Sequence, residues 1–600
     1  MPTSTLATPA KSETTGAEDV RWNLTDLYET ESALKDDMRS AATAAERFAD
    51  QYRGMLETME GAQLAAALKQ LEAIQDSLGR AYTYGYLDWS TDTEDTAKGA
   101  LLQWIKEQYT AAAQHLIFLD VEWAQLDDST AERLLQSPHL ERHRHHLELQ
   151  RKARKHVLSE PEERVLSEKS VTGWSAWNRF FDETLGATRF EIDGEILTEQ
   201  EVLSRLSDHD RERRRSAALA LSEGLAKLER PLTYVFNTIL ADKASNDRLR
   251  GYDHWLAGRN QSNEIEQASV EALIEAVTGR YDLVERFYRL KAQLLDLDGE
   301  LQDYDRYAPV GGAERRFSWE EAQEAVVAAY KDFHPEIGGI VERFFEERWI
   351  DAAVVPGKRG GAYSHGAVPS VHPYILMNYT GRGRDVQTLA HELGHGVHQY
   401  LSREQGIFHA DTPLTTAETA SVFGEMLVFQ RLLDAETDPA IRLAMLIRKI
   451  DDSMATVFRQ VTMNRFEERI HTHRREAGEL SPADFSDHWM KTQSAMFGDS
   501  VRLGEHYHRW WSYIPHFVHT PGYVYAYAFG ELLVLSLYNR FRTEPEGFAE
   551  RYRSLLAEGG SDWPHNLLAP FGIDLNDPDF WQEGLAAIEA LIDEAERLAP

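Results

Sequence analysis

The spacing of apolar and polar positions predicts helices along most of the chain. Between residues 61 and 77, apolar side chains recur every three or four positions, as they do on one face of a helix. The same period marks the segments 31–52, 96–122, 269–295 and 318–348. Because this period runs through most of the sequence, we predict a mainly α-helical fold.

Two segments depart from the helical pattern. In residues 189–199 an Asp-Gly pair separates two short apolar runs, which predicts a β-hairpin. Residues 354–383 are rich in glycine, and within them the runs 362–364 and 373–379 resemble two short strands. We therefore expect a small β-sheet just before residue 385.

The polar and charged stretch 201–210 predicts a boundary between two domains. An N-terminal helical domain would cover residues 21–200, and a second domain residues 201–600. Residues 1–20 are polar and lack the apolar centre of a signal peptide, so they predict a disordered leader.

Composition narrows the classes of function. A formal net charge of −35 argues against nucleic acid or an anionic membrane as a partner, because both attract basic surfaces. No window approaches the roughly 18 consecutive apolar residues of a membrane span. The chain has 0 cysteines, so any metal must be held by histidine and carboxylate. Together these features favour a cytoplasmic protein.

The strongest chemical signal is the run His391-Glu392-Leu393-Gly394-His395. Asp385 can cap a helix that runs from Val386 to about Leu401. On that helix the two histidines are four positions apart, so both imidazoles can bind one metal ion. Glu392 lies beside that face, which suits a carboxylate that contacts water at the metal instead of the metal itself.

A catalytic zinc ion usually takes three protein ligands and keeps one position open. A second helix is expected to begin near Thr415 or Thr416, with Glu418 in its first turn as the third ligand. The alternative for Glu418 is a capping box with Thr415. Glu425 is its main competitor, although it suits better the role of orienting a ligand imidazole. Two weaker candidates are His409 and Asp411.

The glycine-rich strands can bind an extended peptide, because a free strand edge offers backbone donors and acceptors. Gly360 and Gly361 would allow close approach of a peptide backbone, and Ala362 and Tyr363 begin the first strand. An ordinary hairpin is the alternative, and the pattern alone does not choose between them.

A tyrosine-rich segment lies far downstream, in residues 516–530. Tyr523 and Tyr527 are four positions apart, so a helix starting here would bring their hydroxyls to one face, able to donate to an oxyanion. Aromatic core packing is the alternative. Upstream, His143, His145 and His146 could suggest a second metal site, but their spacing is more typical of a solvated helix face.

Several of these motifs occur together in one known family. The runs GKRGGAYS, HPYILMNYTGRGRDVQTLAHELGHGVH and TPLTTAETASVFGEML resemble the oligoendopeptidase F branch of the thimet oligopeptidase-like (M3) metallopeptidases. NDRLRGYDHWLAGRNQSNEI and YIPHFVHTPGYVYAYAFGEL resemble the same branch. The similarity runs from about residue 201 to the C-terminal region, with a weaker helical N-terminal part.

This resemblance implies a helical, clam-like shell around a deep substrate channel, with residues 201–600 as the catalytic domain. It implies one zinc ion held by residues matching His391, His395 and Glu418, with Glu392 as general base. Tyr523 and Tyr527 match the residues that stabilise the intermediate, and of two nearby histidines His516 fits better than His519. The implied activity is cleavage of internal bonds in short peptides. Two alternatives remain, a non-catalytic peptide- or metal-binding protein and a metallo-carboxypeptidase; the oligomeric state is not implied.

Overall fold

The computed structural model describes residues 14–297, 300–311 and 315–600. Most of these residues are helical, and the few strands are two or three residues long. The predicted fold class, mainly α with a small sheet beside the helix of residues 391–395, is thereby confirmed.

The predicted leader is only partly within the described residues, because residues 1–13 lie outside them. For residues 14–20 the prediction of disorder is wrong. Ala17 is buried, and the Thr15 carbonyl accepts a hydrogen bond of 2.7 Å from the Trp319 amide. The Val20 carbonyl accepts one of 3.1 Å from the Ala352 amide. Polar side chains do not reveal an attachment that is made through the backbone.

The N-terminal helices pack around an apolar core of their own. Leu34, Leu64 and Ile105, from three different helices, are fully buried there. The same core includes Tyr374 and Leu376 of a strand beside the candidate site, so these helices support that strand. The helices of this core are α1 (Glu31–Tyr52), α2 (Gly61–Thr91), α3 (Thr96–Gln114), α4 (Phe118–Gln125), α5 (Asp128–Leu135) and α6 (Arg144–Ala153). Helices α7 (Glu160–Ser170) and α8 (Trp174–Ala187) follow them in the chain.

The predicted hairpin follows α8 and is confirmed. Strand β1 (Phe190–Ile192) pairs antiparallel with β2 (Glu195–Leu197). The two residues between them have positive φ angles, 52° at Asp193 and 84° at Gly194. An Asp-Gly pair adopts this conformation at low cost, which is why a short-range pattern could predict it.

Eight helices lie between the hairpin and the HELGH segment in the part of the chain that the structure describes. They are α9 (Glu199–Arg205), α10 (Arg211–Lys227), α11 (Glu229–Arg250), α12 (Ala257–Ser262), α13 (Gln267–Thr278), α14 (Tyr281–Leu294), α15 (Trp319–Phe333) and α16 (Pro335–Glu346). One apolar cluster joins residues on both sides of position 200: Phe181 and Phe190 belong to it together with Leu221, Phe236 and Phe466.

Two further small sheets accompany these helices. Strand β3 (Leu301–Gln302) pairs in parallel with β7 (Val501–Arg502). The other sheet has the order β4-β6-β5, in which β4 (Ile350–Asp351) is parallel and β5 (Tyr363–His365) antiparallel to β6 (Tyr374–Leu376). Strand β5 therefore lies at an edge of this sheet.

The largest apolar core among the described residues joins helices α13 to α16 with most of the remaining helices. The remaining helices are α17 (Gly383–Ser402), α18 (Leu414–Ala417), α19 (Thr419–Ala435), α20 (Pro439–Ser453), α21 (Arg459–Glu476), α22 (Pro482–Phe497), α23 (His516–His519), α24 (Tyr525–Thr543), α25 (Phe548–Glu558), α26 (Pro564–Leu568) and α27 (Pro578–Leu598). A π-helical turn, Met454–Phe458, joins α20 to α21. Short 3-10 turns occur at Leu56–Thr58, Pro138–His143, Arg154–His156, Asp303–Asp305, Arg403–Gln405, Glu505–Tyr513 and Ala569–Phe571.

Helices α17 and α19 approach each other very closely. A Cβ atom on Gly394 would lie 2.3 Å from the Ala420 carbonyl oxygen and 2.6 Å from Cα of Ser421. Any larger residue at position 394 would force the two helices apart. Because Glu418 immediately precedes α19, this glycine brings it close to the two histidines of α17.

Candidate active site

The HELGH helix extends further than its sequence pattern predicts. Helix α17 begins at Gly383 with Arg382 as N-cap, so Asp385 caps this helix from its third position, as part of a capping box, and is not the N-cap itself. Asp385 lies in the first turn, where its carboxylate accepts hydrogen bonds from the amides of Thr380 (2.7 Å) and Arg382 (3.1 Å). The carboxylate thus anchors the preceding loop, and an acidic group there also complements the helix dipole.

Three potential metal donors converge on one point. Glu418 Oε2 lies 3.4 Å from His391 Nε2 and 3.5 Å from His395 Nε2. The two imidazole centroids are 4.9 Å apart. One ligand atom from each residue falls within 4.8 Å of the other two, and no other such group occurs among the described residues.

Glu418 does not lie in the first turn of a continuous helix, as the sequence pattern suggested. It occupies the junction between α18 and α19. The alternative capping box with Thr415 is not formed, because the Thr415 hydroxyl donates to the Asn263 carbonyl at 3.1 Å. Instead Ser421 Oγ donates to Glu418 Oε2 at 2.6 Å, which orients the carboxylate toward the histidines.

Glu425 lies on the other side of His391. Its Oε2 is 3.5 Å from His391 Nδ1, and its Oε1 accepts a hydrogen bond of 2.8 Å from Lys449 Nζ. Glu418 and Glu425 thus face opposite ring nitrogens of the same imidazole. A carboxylate at Nδ1 holds the ring so that Nε2 points to a metal.

Burial and the neighbouring carboxylates shift the titration of these groups. Burial by itself would lower the pKa of His391, but the contact with Glu425 and the charge of Glu418 raise that pKa to about 9. Burial raises the pKa of Glu392 to about 7, against the influence of His391. Burial alone would raise the pKa of Glu425, but the charge of Lys449 lowers this pKa to about 2.

Glu392 borders a cavity of about 500 Å³ beside the edge strand β5. Ala362, Tyr363, Ser364 and His395 line the same cavity. Asp411 also lines it. The structure therefore brings two of the predicted peptide-binding residues to the predicted base.

Gly360 and Gly361 lie in an exposed loop before β5 and do not line this cavity. Gly361 has a φ angle of 81°, a conformation that glycine adopts at little cost. A Cβ atom added at this position would lie in open space. Neither glycine lines the cavity, so their role in peptide binding stays a prediction.

The tyrosine segment folds next to the three donors. The rings of Tyr523 and Tyr527 are 5.0 Å apart, and His516 Nε2 lies 3.1 Å from the Tyr527 hydroxyl. On α24, a Cβ at Gly530 would lie 3.2 Å from Cβ of Glu418, so this helix packs directly against the donor group. Burial raises the pKa of both tyrosines, and the negative charge of Glu418 raises it further.

The choice between the two histidines follows from their partners. His519 Nε2 lies 2.8 Å from Asp182 Oδ1, whereas His516 Nε2 contacts the Tyr527 hydroxyl. His516 therefore lies beside the tyrosines, and its role with them stays a prediction. Tyr525, between the two tyrosines in sequence, is buried and donates to Asn260 at 2.8 Å.

The upstream histidines do not form a solvated helix face, and that prediction is wrong. His143 and His145 are buried, with Nε2 atoms 3.3 Å from Glu72 and 2.8 Å from Glu264. His146 stacks on Phe408, with 4.2 Å between ring centroids. His409, one of the two weaker metal candidates, belongs to the same cluster, because its Nε2 accepts a hydrogen bond from the amide of His146. Residues distant in sequence cover this helix face. The spacing of polar and apolar residues within the helix gives no information about them.

Comparison with known proteins identifies the family. The sequence profile of peptidase family M3 matches residues 204–587, and an N-terminal oligopeptidase F profile matches residues 122–190. The chain belongs to peptidase family M3.

Individual relatives span almost the whole chain. Oligopeptidase PepF of Bacillus subtilis is 28% identical over 97% of this chain and 87% of its own length. Group B oligopeptidase PepB of Streptococcus agalactiae is 27% identical over 97% of both chains. Among solved structures, a protein of Chlamydophila abortus designated a peptidase superposes with a TM-score of 0.88 at 25% identity, over 96% of this chain and 98% of its own. Oligoendopeptidase-F of Enterococcus faecium gives 0.70 at 22% identity, over 95% and 99%.

One charged residue of this M3 site escaped the sequence analysis. Lys449 is 4% exposed and contacts Glu425 behind His391. It lies three positions after Leu446 and four before Ser453, both fully buried, so it shares their helix face. A lysine on an otherwise buried face was the available signal. No helix in the described ranges is long and apolar enough to cross a bilayer.

Proposed function

We propose that this M3 peptidase is a zinc-dependent endopeptidase that cleaves internal bonds of short oligopeptides. The observation that carries the proposal is the convergence of His391, His395 and Glu418 beside the carboxylate of Glu392. A protein that only binds peptides or metal has no need of a carboxylate in that position.

The donor set suits zinc. Two imidazoles and one carboxylate leave a fourth position open, which is the usual composition of a catalytic zinc site. Cysteine, the other common zinc ligand, is absent from the sequence. A zinc ion held there, one per chain, supplies a Lewis acid that acidifies water and polarises a peptide carbonyl.

Glu392 acts as general base and then as general acid. Its carboxylate borders the cavity next to the donors, where it accepts a proton from the attacking water and passes it to the leaving amine. Ser364, which belongs to the edge strand β5, lines the same cavity. One short strand thus lies within reach of both the base and a bound peptide.

Tyr523 and Tyr527 donate hydrogen bonds to the oxyanion that forms on the carbonyl. His516 hydrogen bonds to the Tyr527 hydroxyl and orients it. A well-placed oxyanion donor lowers the barrier by about 3–4 kcal/mol. Strand β5 binds the peptide backbone through its free edge, so side chains of the peptide need not be specific.

The experiment compares Glu392→Gln with the wild-type protein. We expect kcat on a quenched nonapeptide to fall by about 10²–10⁴-fold, the usual contribution of a general base. Zinc content should stay at one per chain, because Glu392 is not a ligand. Glu404→Gln is the matched control, since Glu404 is exposed and lies just beyond α17.

Products identified by mass spectrometry separate the alternatives. Fragments from internal cuts that disappear with a chelator support the endopeptidase. Removal of single C-terminal residues would show a carboxypeptidase, and zinc binding without cleavage would show a binding protein. Wild-type turnover by Glu392→Gln would refute the role given to Glu392.

A further inference from the structure

A buried carboxyl group on α21 contacts the turn that precedes Tyr523. Glu467 is 1% exposed, and its Oε1 accepts a hydrogen bond of 2.8 Å from the amide of Gly522. Its other oxygen, Oε2, is buried and has no hydrogen-bond partner among the described residues. A polar atom buried without a partner lowers stability, so a residue that served packing alone would be apolar here.

The turn itself needs an acceptor for this amide. The amide of Tyr523 closes the turn by donating to the Thr520 carbonyl at 3.1 Å. Pro521 and Gly522 occupy the two central positions, and the φ angle of 77° at Gly522 fits a type II turn. The bond that closes the turn does not use the Gly522 amide, and Gly522 is buried. Because a buried amide needs a partner, Glu467 supplies the acceptor that the turn does not provide.

The position of Tyr523 depends on this turn more than that of Tyr527 does. Helix α24 begins at Tyr525, so Tyr527 lies within the helix and Tyr523 precedes it. Leu256 packs closely against the turn, since a Cβ atom on Gly522 would lie 2.8 Å from its Cδ2. Without the carboxyl group the buried Gly522 amide would be unpaired, and the turn would have to move for that amide to reach another acceptor.

Glu467 can accept this hydrogen bond as a neutral acid. Burial raises its pKa to about 8, and the Gly522 amide and the charges of Arg259 and Lys243 offset only part of this effect. At pH 7 the carboxyl group is therefore mostly protonated, and its carbonyl oxygen still accepts a hydrogen bond. Glutamine has nearly the same shape and no charge, so Glu467→Gln should preserve the contact with Gly522.

We propose that Glu467 is a positioning residue that holds the turn of residues 520–523 and thereby keeps the Tyr523 hydroxyl beside Tyr527 and the three donors. The inference rests on the proposed function, because it takes Tyr523 as an oxyanion donor. Glu467 is not one of the three donors and does not line the cavity beside Glu392, so it acts through Tyr523. Loss of its hydrogen bond should lower kcat and leave KM and zinc content nearly unchanged.

The test compares Glu467→Met with Glu467→Gln in the peptide assay. Methionine has a similar length but offers the Gly522 amide no oxygen, so we expect kcat to fall by about 10–100-fold, the effect of a displacement of about 1 Å. Loss of a whole oxyanion donor, about 10²–10³-fold, sets the upper limit. Glu467→Gln should keep kcat close to the wild-type value. Glu476→Met is the matched control, because Glu476 is the exposed last residue of the same helix.

A double variant separates positioning from general damage to the fold. If Glu467 acts through Tyr523, Glu467→Met should have little further effect on kcat once Tyr523→Phe has removed the hydroxyl. Independent losses that multiply in the double variant would overturn the proposal. Equal losses in Glu467→Met and Glu467→Gln would overturn it as well. If Glu467→Met does not fold, Glu467→Leu takes its place with the same expectation.

Hydrogen exchange gives a second readout that does not require activity. In a fragment that contains Gly522, protection of the amide should fall in Glu467→Met and persist in Glu467→Gln. Equal protection in the wild-type protein and both variants would overturn the proposal.

The outcomes distinguish this inference from the proposed function. Wild-type kcat in Glu467→Met, together with a loss in Tyr523→Phe, overturns the positioning role and leaves the peptidase mechanism intact. Wild-type kcat in Tyr523→Phe refutes the role of that tyrosine and the inference with it. Absence of cleavage by the wild-type protein refutes the proposed function, and hydrogen exchange still decides whether Glu467 holds the turn.

Discussion

The charge of Lys449 is predicted to stabilise the metal site through Glu425, and Lys449→Met tests this. The side chain of Lys449 is 3% exposed and that of Glu425 18%, with 2.8 Å between Nζ and Oε1. The other oxygen of Glu425 faces His391 Nδ1 at 3.5 Å. Methionine keeps the length of lysine without its charge. Glu425 therefore loses its counter-ion, and the interaction of its carboxylate with His391 Nδ1 changes.

The expected magnitude follows from this geometry. At 2.8 Å and an effective dielectric constant of about 20, the attraction between the two charges is about 6 kcal/mol before desolvation is subtracted. Removing one partner of a buried ion pair typically costs about 3–5 kcal/mol. Proton uptake by Glu425 limits this loss, so we expect a cost near the lower end. Loss of a group that orients a metal ligand typically weakens metal binding by about 10–100-fold.

Zinc affinity is measured by competition with a chelator, and stability by urea unfolding of the metal-free protein. Lys449→Met should weaken zinc binding by about 10–100-fold and lower the free energy of unfolding by about 3 kcal/mol. Lys491→Met is the matched control, because Lys491 pairs with Asp487 on the surface, with side chains 58% and 55% exposed. Such a pair contributes less than about 1 kcal/mol and cannot affect the metal.

A double variant tests the electrostatic reason separately. Lys449→Met with Glu425→Gln leaves neither charge buried, so it should recover most of the lost stability but not the zinc affinity. If Lys449→Met binds zinc as tightly as the wild type, or if both lysine variants behave alike, the reasoning is refuted.

Three further substitutions test other parts of the site. Glu418→Ala should abolish stoichiometric zinc binding measured by metal analysis; retention of zinc there, with loss in Glu425→Ala, would exchange the roles of these carboxylates. Tyr527→Phe should lower kcat about 10²–10³-fold in the peptide assay, whereas Tyr525→Phe, which alters a buried hydrogen bond, should lower stability more than kcat. Gly394→Ala should weaken zinc binding and lower the melting temperature, because its Cβ would lie 2.3 Å from a carbonyl oxygen of α19; unchanged values would contradict the close-packing argument.

Features that depend on neighbours in sequence were predictable. The hairpin at Asp193 and Gly194 follows from the φ angles that these two residues adopt easily. The convergence of His391 and His395 follows from helix geometry, since positions four apart share a face. Both predictions need only a few residues of context.

Features that depend on distant partners were not predictable in the same way. Thr415 could have capped the following helix, but its hydroxyl bonds to Asn263, 152 residues away. His143 and His145 have the spacing of an exposed face, yet they contact Glu72 of α2 and Glu264 of the turn between α12 and α13. A periodic pattern describes a helix surface and cannot say which other element covers it.

The glycines of the site show how packing gives a local motif its meaning. In the HELGH run, we propose that two histidines and a glutamate carry the chemistry, but the position of Glu418 depends on Gly394, which allows α19 to contact α17. Gly530 has the same effect for α24, where an added Cβ would lie 3.2 Å from Glu418. Three helices therefore meet at this carboxylate because two of them lack a side chain at the contact. Metal donors and tyrosines from distant parts of the sequence can be held together in this way only if both glycines are kept.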